Sequence, residues 1–334
     1  MLEEYNNIFE QFDVKVKNGY KGRGAYILDT NKGLKLFKEI RMHREKIKFM
    51  YEIEEYLHEN GFSNIDRLTL SRDNNPYCED DGTVYIMKNW VNGREIFFND
   101  EEEIYDSVKN LAILHKCGTN FPRCNRYKNY VKLGTLSSKL DRHNIELVRI
   151  RNKIRKIGKW SEFDICFLSS FNYYYQKAAE ALSLIELSEY NNLVDQYYNK
   201  NVIIHGQYIH HNILVSNKKI YTMNFEYCNI DLPVIDLYRL LRKVLEKNEW
   251  NIQLGIKAID KYVSINPLSK GELNILLYLI MYPEKFWKIS NYYFNLNRAW
   301  KPKQSLVKIN KLINQKDKKE DFIKALKKNL EVNW

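Results

Sequence analysis

A short β segment interrupts a chain that otherwise reads as helix from about Phe97 onward, and it constrains the fold more than any other feature. "VIIH" at 202–205 leads into a polar loop, and "NILV" at 212–215 and "IYTMNF" at 220–225 form a hairpin after it. Around it, Ile104, Val108, Leu111 and His115 step by three and four, as one helix face does. Long helices are expected over 133–157 and 164–190, and helices resume at Pro233. The first ninety residues read differently. Val14 and Val16 alternate with charged residues, and "KNGYKGRG" and "TNKG" are turn chemistry, so 11–40 gives three antiparallel strands. A helix follows from about Met42 to Asn60, ended by Gly61. "DRLTLSR", a polar turn and "TVYIMKNWV" then give a further hairpin. The expectation is an α+β chain in two lobes: a small antiparallel sheet with one inserted helix over 1–91, a connection at 92–97, and a helical lobe over 98–334 carrying a loop and hairpin at 202–226. A chain of 334 residues can bury a core of that size.

The net charge of +11 is unevenly placed. From Arg123 to Lys159 twelve Lys and Arg face only Asp141 and Glu146. Such a run is most often a solvated helix face, and it can also attract an acidic partner. The signatures of nucleic-acid-binding modules are missing, so nucleic acid is not an expected partner. Cys78, Cys117, Cys124, Cys166 and Cys228 contain no CxxC pair, which argues against a disulfide framework or zinc site and for a reducing compartment. The N-terminus has no signal-peptide pattern, and no run of about 18 apolar residues exists to span a bilayer. The most apolar run, "LNILLYLIMY" at 273–282, follows a capping-box pair, Ser269 and Glu272, and reads as a buried helix. A cytoplasmic protein without membrane contact is expected. Tyr173–Tyr175, Tyr197–Tyr198 and Tyr292–Tyr293 read as core for the most part.

The loop has the rhythm of a phosphotransferase site. Such chemistry needs an Asp to accept the proton of the attacking hydroxyl, an Asn and a second Asp to hold Mg²⁺, and a strand Lys positioned by a helix Glu. "HGQYIHHN" resembles the loop of the aminoglycoside phosphotransferase superfamily, His-Gly-Asp followed five residues later by Asn: His205, Gly206, Gln207 and Asn212 match it in order and spacing. "MNFE" stands where that superfamily has Ile-Asp-Phe/Trp-Asp/Glu, which puts Asn224 in the metal position and Glu226 two residues on. "DLPVIDL" resembles its Asp-x-Pro-x-x-Asp-Leu, and Asp236 would brace the loop. Gln207 is no base, and Asn224 offers a neutral oxygen where Mg²⁺ prefers an anionic one. Asn212 and Glu226 remain as candidate metal ligands, with Asp231 and Asp236 further along. Lys38 is the expected phosphate-binding lysine, since Lys35 falls on the opposite strand face. Its helix partner is Glu52 or Glu54, with Glu52 preferred, and the backbone of Lys88–Trp90 would face an adenine. His205 reads as structural. His210 and His211, expected to point in different directions, have no recognised metal-ligand spacing.

A narrower resemblance runs from about residue 8 to about 328. "GRGAYILDTNKGLKLFK", "HENGF", "SEFDICFL", "HHNILV", "DLPVIDLYRLLRK" and above all Tyr282–Pro302 are similar to the CotS family of bacterial spore coat proteins. The resemblance implies a spore coat component made in the mother-cell cytoplasm, with other coat proteins as partners and ATP and Mg²⁺ as the superfamily's cofactors. Three readings follow: a coat protein with a degenerate kinase site, a small-molecule kinase, and a nucleotide-binding module without turnover.

Overall fold

The three antiparallel strands expected over 11–40 are present, but the first covers Val16–Gly22, so most of "KNGYKGRG", expected as a turn, is strand, with 18–22 paired residue by residue with 25–29. The computed structural model describes residues 2–22, 24–122, 124–295 and 303–333. Arg123, at the head of the basic stretch, and the end of the run Tyr282–Pro302 lie outside the described residues. The chain divides into two units, Met1–Val131 with Lys200–Asp236, and Lys132–Asn199 with Leu237–Trp334.

In the first unit, α1 (Asn6–Gln11) precedes β1 (Val16–Gly22), β2 (Ala25–Thr30) and β3 (Gly33–Glu39). Next come α2 (Arg44–Glu59), β4 (Cys78–Asp80) and β5 (Thr83–Asn89). The strands form an antiparallel sheet in the order β1-β2-β3-β5-β4. In the β3–β5 register Leu36 faces Lys88 and Lys38 faces Ile86. Ile8, Phe9, Phe12, Leu28, Phe37 and Met87 close the core on one side of this sheet. Each side chain of that size contributes about 1.5–3 kcal/mol when fully buried. His43 caps α2, and Gly61, at φ +93°, takes the left-handed position beyond its end.

One expected strand is not there. "DRLTLSR" at 66–72 meets β5 only through the single bridge Leu68–Lys88, flanked by Thr69 N–H to Met87 O (2.7 Å) and Asn89 N–H to Arg67 O (2.9 Å). In this bridge the Leu68 N–H points away from β5, and it donates to the Glu54 carboxylate of α2 at 2.7 Å.

The rest of this unit is β6 (Arg94–Glu95), α3 (Glu101–Cys117), β7 (Ile203–Ile204), β8 (Ile213–Ser216), β9 (Lys219–Thr222) and β10 (Asn229–Ile230). β8 and β9 form the expected hairpin, and β6 joins it with Glu95 opposite Leu214. The division therefore does not follow 92–97, because the segment expected as a connection is hydrogen-bonded to the hairpin.

The second unit holds α4 (Leu136–Ile157), α5 (Glu162–Leu187), most of α6 (Tyr190–Lys200) and of α7 (Val234–Lys247), and α8 (Ile252–Val263). It continues with α9 (Lys270–Met281), α10 (Glu284–Asn295), α11 (Lys303–Asn314) and α12 (Lys316–Asn333). Ser161 with Asp164 and Ser269 with Glu272 close reciprocal capping boxes on α5 and α9. Phe163, Phe167 and Phe171 recur every fourth residue on α5 and pack into a core with Phe286 and Ile309. On α4 the apolar residues Leu140, Leu147, Ile150 and Ile154 are buried, while Arg142, Arg149, Lys153, Arg155 and Lys156 are exposed. That is the solvated face the charge run suggests. Tyr174, Tyr197 and Tyr293 are core, whereas Tyr198 and Tyr292 are exposed. Among the described residues no helix is long and apolar enough to cross a membrane.

Candidate functional site

All the loop residues singled out in the sequence fall in the first unit. β7 delivers the chain to His205 and Gly206. Gly206 has φ +78°, and a Cβ there would sit 2.0 Å from the Tyr227 carbonyl oxygen, so only glycine fits. Its N–H donates to both carboxylate oxygens of the fully buried Asp236, each at 3.1 Å. Asp236 thus braces the loop, as the resemblance implies. The buried His205 holds it from a second side. The Gln207 N–H can only donate, so His205 Nδ1 accepts it (3.1 Å) and Nε2–H donates to Met223 O at 3.0 Å. His205 is therefore neutral and structural. Asn212 closes the loop through Nδ2 to Gln207 O (2.9 Å), and its own carbonyl accepts from Met223 N at 2.8 Å.

Asn224 follows β9 in the left-handed region, at φ +68°, which asparagine tolerates better than most residues. Its N–H donates to both oxygens of Asp66 at 3.0 Å, and its Nδ2 lies 3.5 Å from Asn212 Oδ1. The two amides of the expected metal site thus face each other. Asp231 accepts from the Leu232 N–H and is not among the residues lining the cleft.

The lysines divide as the strand period requires. Lys35 bonds Thr69 and Asn89 and stands outside the cleft. Lys38 lines the cleft and is ion-paired with Glu226. Neither Glu52 nor Glu54 of α2 is the partner of Lys38. Glu52, the preferred partner, instead accepts from Arg126 and Tyr127. Glu54 is the inward-facing glutamate of α2, and its lysine is Lys88, on β5, at 3.0 Å. Lys88 Nζ also lies 3.5 Å from Asp66 Oδ2, and all three side chains are buried. Burial pushes the Glu54 carboxyl up to about 7, with Lys88 opposing the rise and Asp66 adding to it. Burial likewise raises Asp66 against the pull of Lys88. Burial works against the charge of Lys88, but Asp66, Glu54 and Glu226 outweigh it and hold its pKa above the ordinary lysine value.

Sequence reasoning missed Lys88 and Asp66 as side chains. A lysine inside "TVYIMKNW" was the available signal, since an ammonium in so apolar a strand must find buried carboxylates.

A cleft of about 300 Å³ results. Ala25, Leu36 and Trp90 give it apolar walls, and Lys38, Asn212 and Glu226 give it polar ones. Gln207 is not among its lining residues. That chemistry fits a nucleotide: flat apolar surface for a base and an ammonium for phosphate. It does not fit Mg²⁺ well. Asn212 and Asn224 supply neutral oxygens, and each lining carboxylate is already paired: Asp66 with Lys88, Glu226 with Lys38, and Glu95 with His211 at 2.9 Å.

Comparison with known proteins agrees with this architecture. The family described as "Spore coat putative kinase YutH" matches residues 5–326. Spore coat protein S of Bacillus subtilis (strain 168) is 22% identical over 325 residues, which is 94% of this chain and 89% of that protein. Among solved structures, an aminoglycoside phosphotransferase from Alicyclobacillus acidocaldarius superposes with a TM-score of 0.85 at 18% identity, covering 96% of this chain and 95% of that one. An AMP-bound spectinomycin phosphotransferase superposes with a TM-score of 0.61 at 14% identity, covering 97% of each chain. The fold is the kinase-like fold of the aminoglycoside phosphotransferases, and the chain belongs to the spore coat kinase-like family that carries the YutH description.

Proposed function

We propose that this protein is a component of the bacterial spore coat, made in the mother-cell cytoplasm, whose kinase-like cleft has lost phosphoryl transfer or nearly so. The observation that carries this reading is the charge state of the site. Gln207 cannot take a proton, Asn224 cannot supply an anionic oxygen, and the three carboxylates lining the cleft are each engaged by a cation or an imidazole. Phosphoryl transfer rests on positioning and on metal-held charge, so losing both groups lowers the rate by several orders of magnitude. Other coat proteins are the natural partners in this reading, and the exposed cationic face of α4 is a surface that could meet an acidic one.

A second reading, nucleotide binding without turnover, is favoured by the retained cleft with Trp90, Leu36 and Lys38 on its walls. Calorimetric titration of ATP with and without Mg²⁺, alongside an assay for nucleotide consumption, tests both. Binding that is indifferent to Mg²⁺ and without turnover supports the nucleotide-binding reading. No binding in either condition leaves the coat role alone. Binding that tightens with Mg²⁺ together with turnover overturns the inactive reading.

A further inference from the structure

Beside the positions where the superfamily holds its metal, the cleft rim carries a different set of donors. Glu95 lies on β6, and the sheet pairing of β6 with β8 fixes its backbone. His210 and His211 open the turn at His210–Asn212 that leads into β8. One ligating atom from each of Glu95, His210 and His211 lies within 4.8 Å of those of the other two. The histidine rings do not diverge, as the sequence reading had them. Their centroids are 3.8 Å apart, and Phe98 packs against His210 at 5.2 Å and holds that ring.

We propose that Glu95, His210 and His211 form a binding site for a borderline divalent transition cation, with Zn²⁺ as its representative. Two imidazole nitrogens and one carboxylate oxygen suit Zn²⁺, Co²⁺ or Ni²⁺, whereas Mg²⁺ and Ca²⁺ favour all-oxygen sites. Bond lengths of about 2.0–2.1 Å at tetrahedral angles put donor atoms about 3.4 Å apart. The His211–Glu95 separation of 2.9 Å is already close to that, and the remaining adjustment is side-chain rotation. Glu95 and His211 line the cleft, so the coordination position they leave open faces it and would take water or an anionic oxygen of a cleft ligand. Asn212 and Asn224 play no part, and the site stands whether or not a nucleotide binds.

Zn²⁺ titrated calorimetrically into the reduced full-length chain tests the site, with Co²⁺ absorption in the visible region as a report on coordination. The wild type is expected to bind one equivalent that excess Mg²⁺ does not displace. His211→Ala is expected to weaken that equivalent at least tenfold and to remove the Co²⁺ bands. The His211 side chain is 62% exposed, so this variant should retain its fold, which circular dichroism checks. Glu95→Gln keeps a hydrogen-bonding group and should weaken binding less while altering the Co²⁺ spectrum. Identical titrations for wild type and both variants would place any bound zinc elsewhere, on the thiols for example, and overturn the proposal. Displacement by Mg²⁺ or absence of binding would do the same.

Discussion

Lys88→Met is the sharpest probe of the charge cluster behind the cleft. The Lys88 side chain is 2% exposed, Glu54 0% and Asp66 4%. Methionine preserves the apolar stem but leaves two acids without their cation. Breaking a buried pair in this way costs about 3–5 kcal/mol. The protein has one means of reducing that cost, which is to take up a proton. Glu54 already titrates at about 7, against an ordinary 4.5, because burial disfavours its charge. Between those values the fold holds a proton that the unfolded chain has released, so the Glu54 contribution to stability falls as pH rises through that window. Without Lys88 the folded value rises further. The gap between wild type and variant should therefore be widest in alkaline solution. It should narrow on acidification toward pH 7, by up to about 1.4 kcal/mol per pH unit for one proton. Urea denaturation followed by circular dichroism, at about pH 8.5 and about pH 6.5, measures both the size of the gap and its pH dependence. The double variant Glu54→Gln/Lys88→Met removes one acid together with the cation and should recover part of the loss. A loss below about 1 kcal/mol, or a gap that ignores pH, would refute the picture of a lysine clamped between buried carboxylates.

Two other substitutions address the loop and its chemistry. Gly206→Ala must adopt φ +78° and place its Cβ 2.0 Å from the Tyr227 oxygen. The left-handed backbone alone costs about 1–2 kcal/mol and the clash adds to it, so a loss of more than about 2 kcal/mol is expected in the same denaturation assay, and an unchanged midpoint would contradict the loop geometry. Restoring both carboxylates, Gln207→Asp with Asn224→Asp, is expected to make nucleotide binding depend on Mg²⁺ and to raise ATP consumption at least tenfold above the wild type. Unchanged consumption would mean that the Lys38–Glu226 pair or another part of the cleft also blocks the reaction.

The parts of the fold that were legible in the sequence are those in which local chemistry decides. The turn at "TNKG" separates two strands as read, Ser269 with Glu272 marked a helix start, and the loop spacing from His205 to Asn212 placed the cleft, whereas "KNGYKGRG", read as a turn, is mostly strand because 18–22 pair with 25–29. Asp236 was readable because its position relative to the loop is fixed by motif. What sequence periodicity could not resolve were choices settled by tertiary partners. Glu52 and Glu54 are two residues apart on one helix, about 200° around its axis, and nothing local says which points inward. The structure decides through Arg126 and Tyr127, which take Glu52, and through Lys88, which takes Glu54. The segment 66–72 has strand-like alternation, yet it meets β5 at one bridge alone, and the Leu68 N–H on its other edge is taken by the Glu54 carboxylate of α2.

The same competition for partners explains how the site can be stable with amides in place of acids. In a kinase cleft the metal carboxylates are balanced by cations that come and go with the nucleotide, while the strand lysine is held by a helix glutamate. Here Lys38 is balanced by Glu226, and Lys88 by Glu54 and Asp66, all from within the chain. A cleft whose two lysines each have carboxylate partners within the chain has little electrostatic need for an anionic ligand to remain folded. A phosphate that binds Lys38 has to share or compete for the ammonium with Glu226. The amides at 207 and 224 and the pairing of Lys38 with Glu226 act in the same direction, since each lessens the need of this site for a charged ligand.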